Sequence, residues 1–249
     1  MFAPTMTIVQ HDSAASAGHL PDWLDDVEPL TVHAWQGEPV PTIECVGDGL
    51  VVLGGAMGVY DNDEAPWLTA TGELLAAAVE RGVPTLAIGL GFQLLVKATG
   101  GRVTVAAPPG PEAGMIRVKA RPASAADPVL SAMFDGRGEI YQPALHRDAV
   151  VELPAGATWL AQSPMYPFQA ARVGSALGVQ FHPEIDHGQL ERWAARDGLD
   201  LDVISAQVAA HAEESRGGGA RLVRAFAASL RVSADVSADQ LPVSVDVSV

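Results

Sequence analysis

Residues 178–184 read Gly-Val-Gln-Phe-His-Pro-Glu, a β-leaning run that closes on a histidine and a carboxylate two positions apart. Residues two apart on a strand share a face. Pro183 between them cannot donate to a strand ladder, so the strand ends there and both side chains can turn toward one pocket. An imidazole beside a carboxylate is a pairing that general acid–base chemistry uses. A lone histidine reads by default as a satisfied structural residue, but the Pro-Glu sequel favours a site role for His182 and Glu184. Two further stretches are shaped for chemistry. Leu53-Gly54-Gly55-Ala56-Met57 is a tight loop after the apolar run 49–53, which reads as a buried parallel strand. Ile88-Gly89-Leu90-Gly91-Phe92-Gln93 marks a strand-to-helix elbow, which sets a helix N-terminus beneath the site and favours anions there.

The elements that must position these residues follow from periodicity. Residues 5–10 and 31–34 are strand candidates, and 20–30 has helical character. Apolar residues Leu68, Leu74, Leu75, Ala78 and Val79 recur at helical spacing over 67–81, and Gly82 with Pro84 closes that helix. A strand at 83–88 and a helix at 92–98 come next, so strand, helix, strand, sharp turn and helix give the rhythm of a doubly wound parallel sheet. Between 103 and 167 short β-leaning stretches (115–119, 149–153, 158–161) separated by Pro and Gly point to a small antiparallel edge. After the strand 176–181, helices are expected at 189–195, 201–212 and 220–230. Residues 1–231 read as one α/β domain with helices on both faces of the sheet, and 232–249, which lacks a helical period, as a flexible tail.

Composition narrows the function. With 48% hydrophobic and 18% charged residues among 249, the chain buries a sizeable core. Its formal charge is −15, and thirteen acidic residues precede Arg81, the first basic one. Such a surface repels nucleic acid and anionic membranes. No apolar run approaches the ~18–20 residues that span a bilayer, no secretory signal is visible, and the single cysteine, Cys45, fits a reducing compartment. A cytoplasmic protein is expected, without cofactor: the histidines form no pair at metal-ligand spacing, and no nucleotide-binding glycine loop is visible.

Taken together, the three stretches resemble the class I, or triad-type, glutamine amidotransferases, and especially free-standing proteins similar to the amidotransferase half of GMP synthase. The resemblance covers roughly residues 5–230 and implies a flavodoxin-like α/β fold. In that family the elbow reads Gly-Ile-Cys-Leu-Gly-x-Gln, and alignment through Ile88, Leu90, Gly91 and Gln93 sets Gly89 at the position of the nucleophilic cysteine. The resemblance further implies His182 as base, Glu184 as its orienting carboxylate, the amides of Gly55 and Leu90 as an oxyanion hole, and Gln93 as a contact to the substrate. Several neighbours depart from the family pattern: Ala56 for Pro, Ala87 for Gly, Phe92 for a small residue or His, His146-Arg147-Asp148 for His-Gly-Asp, and Phe168-Gln169-Ala170-Ala171-Arg172 for Asn-Gln-Ala-Phe-Arg. Bulky Phe92, and Arg147 beside His146, are expected to reshape the substrate pocket.

Three readings stay open. The first is an enzyme repurposed on this scaffold, with His182 and Glu184 as a general base. The second is an inactive pseudo-amidotransferase that holds a partner enzyme or a glutamine-like ligand. The third is an amidotransferase or amide hydrolase carrying a nucleophile substitution. The expected ligand is a small molecule, glutamine-like or amide-containing, and any ammonia transfer would need a separate synthetase. In a comparable hydrolase triad, loss of the nucleophile cost about 10⁶ in turnover, so efficient glutamine hydrolysis is not expected with Gly89.

Overall fold

The structure, a computed structural model, describes residues 3–239. Strand β1 (Thr5–Gln10) pairs in parallel with β2 (Glu28–His33) and β3 (Gly49–Val52), and β3 pairs in parallel with β4 (Thr85–Ile88). The middle of the chain supplies β5 (Arg102–Thr104), β6 (Glu112–Ala120), β7 (Glu139–His146), β8 (Ala149–Glu152), β9 (Thr158–Gln162) and β10 (Ala170–Val173). The last strand, β11 (Ala176–Val179), returns to lie parallel beside β4. The sheet runs β2-β1-β3-β4-β11-β10-β9-β6-β7, and β5 with β8 forms a separate two-stranded ribbon. Its five parallel strands follow the flavodoxin-like order, in which ligands bind outside the strands' carboxyl ends where the winding reverses. The antiparallel part, β10-β9-β6-β7, is four strands wide.

Helices cover both faces: α1 (Leu20–Trp23), α2 (Trp67–Arg81), α3 (Leu90–Ala98), α4 (Leu130–Phe134), α5 (His187–Arg196) and α6 (Leu201–Asp239). Successive side chains of a strand point to opposite faces, and β3 shows what that does here. Val51 packs in one core with Leu222 and Phe226 of α6, whereas Leu50 and Val52 pack in the other with Leu74 and Leu75 of α2 and Leu95 of α3. A strand buried on both faces must be apolar at every position, which is why β3 is a continuous run.

Two expectations change. The helical reading of 20–30 survives only as α1, because Asp26 takes a left-handed conformation (φ 58°) and β2 begins at Glu28, in register with Thr5. The two helices expected at 201–212 and 220–230 are one continuous helix through Gly217-Gly218-Gly219. Glycine costs about 1 kcal/mol against alanine in a helix, but here its missing side chain permits contact. A Cβ on Gly218 would lie 2.3 Å from Ile140 Cδ1, and one on Gly219 would lie 2.3 Å from the Pro183 carbonyl oxygen. Packing of Leu222, Val223, Phe226 and Leu230 then anchors the half beyond the glycines. Helix α6 reaches Asp239, within the stretch expected as a tail, and 240–249 lie outside the described residues. No helix among the described residues is long and apolar enough to cross a membrane.

Candidate active site

The ends of the parallel strands converge on one cavity of about 460 Å³. Gly55 follows β3, Gly89 and Leu90 follow β4, and His182 follows β11; all four line it. Glu184 lies buried behind His182, with its Oε1 2.8 Å from His182 Nδ1. That contact places the proton on Nδ1 and turns the lone pair of Nε2 outward. No described residue donates to Glu184 Oε2, which is buried, so the carboxylate is satisfied chiefly by the histidine.

The segment carrying this pair is clamped from several sides. His182 N donates to the Pro143 carbonyl of β7 at 2.8 Å, and His19 N donates to the Glu184 carbonyl at 2.7 Å. Trp193 of α5 meets the His182 ring edge-on with centroids 4.9 Å apart, and its own Nε1 donates to the Ala14 carbonyl at 2.8 Å. The ring therefore has little freedom to rotate.

Gly89 sits at the elbow with φ 56° and ψ −113°, outside the basins that other residues favour. A Cβ built there would stand 2.8 Å from both Cε1 and Nε2 of His182. The imidazole thus occupies the volume into which a side chain at 89 would grow. Cys45 offers no substitute thiol, because it is exposed and lies before β3, roughly 20 Å or more along the chain from Gly54.

On the far wall, Gln93 Nε2 donates to the Asp148 carbonyl (3.0 Å) and to Gln180 Oε1 (3.1 Å), which ties the turn after β7 to β11. His146 stands between two acceptors, the Asp148 carbonyl at Nδ1 (3.0 Å) and Glu112 Oε2 at Nε2 (3.2 Å). Glu112 also accepts from Ser163 Oγ and Gln169 Nε2, each at 2.6 Å, so this buried carboxylate is fully engaged. Arg147 lines the cavity and reaches Asp197.

Phe92 is a correction. It was expected at the pocket, but it is fully buried in the core, where a Cβ on Gly178 of β11 would lie 2.1 Å from its ring. Leu90 and Gln93, three apart on α3, share the pocket face; Phe92, two positions on from Leu90, points about 200° around the helix. Glu112, Trp193, Arg196 and Asp197 were not singled out beforehand. The one available signal for Glu112 was its period-two alignment with the apolar Ile116 and Val118 on β6. Among the described residues no cluster of three or more metal-ligating side chains exists.

His11, at the end of β1, adds an electrostatic feature beside the Gly55 loop. It is buried, its Nδ1 accepts from Trp67 Nε1 at 3.1 Å, and its Nε2 has no partner among the described residues. Burial pushes its pKa from 6.5 down to about 4. The unfolded chain takes up this proton first, so the contribution to stability is complete above about pH 6.5 and drains away as pH falls to about 4, on the order of 3 kcal/mol. Urea unfolding across that window should show the slope, and His11→Gln should flatten it; an unchanged slope in the variant would refute the assignment.

Comparison with known proteins agrees with this fold. Residues 28–200 match the family model described as glutamine amidotransferase class-I. The chain is 31% identical over 169 residues to the glutamine-hydrolyzing GMP synthase of Aeropyrum pernix, covering 66% of this chain and 30% of that protein. It is 35% identical over 154 residues to one subunit of the glutamine-hydrolyzing GMP synthase of Archaeoglobus fulgidus, covering 61% of this chain and 73% of that protein. The match thus spans less than a third of the longer relative. A glutamine amidotransferase structure from Thermotoga maritima superposes with a TM-score of 0.77 at 23% identity, covering 92% of this chain and 99% of that one; at that identity the likeness is one of fold.

Proposed function

The chain belongs to the class I glutamine amidotransferase family, and from that premise we propose that it is a member in which His182 and Glu184 act as a general base without a covalent thiol step. In this reading Gly89 holds the family's nucleophile position. The observation that carries it is the His182 ring itself: oriented by Glu184 at 2.8 Å, it fills the space above Gly89 and lines the cavity. Nε2 would take a proton from water or from a substrate C–H adjacent to a carbonyl, and Glu184 would stabilise the imidazolium that forms. In this reading the amides of Gly55 and of Leu90, two residues that line the cavity, would hold the oxyanion that either reaction develops.

The test compares wild type with His182→Ala and Glu184→Gln on a panel of small amides and carbonyl acids, read by mass spectrometry for hydrolysis and for deuterium uptake from D₂O. A substrate turned over by wild type should lose about 10²–10⁴ in rate with His182→Ala while circular dichroism stays unchanged. Equal conversion by both proteins would reject the reading. A second reading, a non-catalytic protein that holds a partner synthetase, draws support from the Archaeoglobus relative, which is named as one subunit of a GMP synthase. It requires instead that His182→Ala leave partner binding and biological role intact.

A further inference from the structure

Arg147, just past β7, and Arg196, in the last turn of α5, come from distant parts of the chain to share one carboxylate at the cavity wall. Arg147 Nη2 lies 3.4 Å from Asp197 Oδ2, and Arg196 Nε lies 2.8 Å from Asp197 Oδ1. Within this trio two guanidinium groups face a single carboxylate. Each guanidinium has five N–H donors, and one from each is spent on Asp197.

The other charged groups of the wall are committed elsewhere. His146 is matched by Glu112, as described above. Asp61 Oδ2 accepts from Gly58 N at 2.7 Å and Asp148 Oδ1 accepts from Ala106 N at 2.9 Å, so both carboxylates brace the rim loops. Arg196 borders in addition the small cleft that His182, Trp193 and Asp12 line.

We propose that Arg147 and Arg196 form an anion subsite, and that the ligand is a small acid whose carboxylate or phosphate sits on this pair while its reacting group reaches His182. The proposal deepens the general-base reading and rests on the cavity being a ligand site. The guanidinium fork matches both anions in a bidentate manner, and the cavity volume suits a molecule of metabolite size.

The experiment is calorimetric titration of the full chain with glutarate and, separately, with inorganic phosphate. Wild type should bind at least one of the two; a preference for glutarate identifies a carboxylate and a preference for phosphate identifies a phosphate ester. Arg147→Gln combined with Arg196→Gln should weaken binding by about tenfold or more, and Asp197→Asn, which frees both guanidinium groups, should tighten it severalfold. Calorimetry reads binding without turnover, which separates this proposal from the catalytic one. If neither probe binds, or the double variant binds like wild type, the subsite does not exist, whatever the outcome of the turnover assay.

Discussion

Gly89→Cys is expected to lower the melting temperature by about 4–8 °C and to leave ammonia release from L-glutamine at the wild-type level. Two costs combine. A residue other than glycine at φ 56° carries strain of about 1–3 kcal/mol, and its Cβ meets the His182 ring at 2.8 Å. The ring cannot withdraw freely, being tied to Glu184 on one side and bounded by Trp193 on another. About 2 kcal/mol corresponds to roughly 4–8 °C for a chain of this size. Gly89→Ala is the control for strain and should show the same thermal loss. A rise in ammonia release by several orders of magnitude would mean that the ring does retract and that the cavity is still a glutamine pocket. The chain would then be a nucleophile-substituted amidotransferase, and the general-base reading would give way.

The largest stability effect is expected at Arg172→Met, a loss of about 3–5 kcal/mol at neutral pH. Arg172 Nε and Nη2 each reach the Asp127 carboxylate at 2.8 Å, and the N–H groups of Val129 and Leu130 complete its hydrogen bonds at the start of α4. Burial, the largest single influence on Asp127, pushes its pKa up. The Arg172 hydrogen bond, the Leu130 N–H, the Arg172 charge and the Val129 N–H together outweigh it and hold the carboxyl below its ordinary range. A carboxyl depressed in the folded state adds stability that is fully present above the unfolded-state pKa and is lost as pH falls through the folded-state value. Removing Arg172 leaves the buried charge unpaired, so the cost should be greatest at neutral pH and shrink in acid as Asp127 takes up a proton. Asp127→Asn should lose the acid-dependent part. Urea unfolding at neutral and acidic pH measures both, and a cost below about 1 kcal/mol at neutral pH would show that the pair is dispensable.

What could be read in advance was whatever a short period or a glycine announces. The apolar run of β3 and the helical spacing of α2 are local patterns, each tied to one element, whereas the strand expected to run to His182 stops at Val179 and leaves the histidine in the segment beyond it. The parallel strands then bring the ends of β3, β4 and β11 together, as the doubly wound reading implies. The far wall was not legible because its bonds join distant positions: Glu112 with His146, Ser163 and Gln169, and Arg147 with Asp197. Nothing in the local pattern around a charged residue names a partner dozens of positions away. Phe92 differs, since its helical phase relative to Leu90 and Gln93 points it toward the sheet. The break expected between 212 and 220 is absent because the surface under the helix outweighs the poor intrinsic preference of its three glycines.

Those three glycines tie helix α6 and the His182–Glu184 segment into mutual dependence. A run of residues with the poorest intrinsic helicity after proline is backed there by Ile140 and the Pro183 carbonyl, which close on Gly218 and Gly219. The Pro183 carbonyl in turn belongs to the segment after β11 that carries the imidazole. Helix continuity and base alignment are thus a single cooperative property: a loosening of α6 at its centre is felt first at the cavity, and a disturbance of the cavity is felt as fraying in the middle of the longest helix, far from either of its ends.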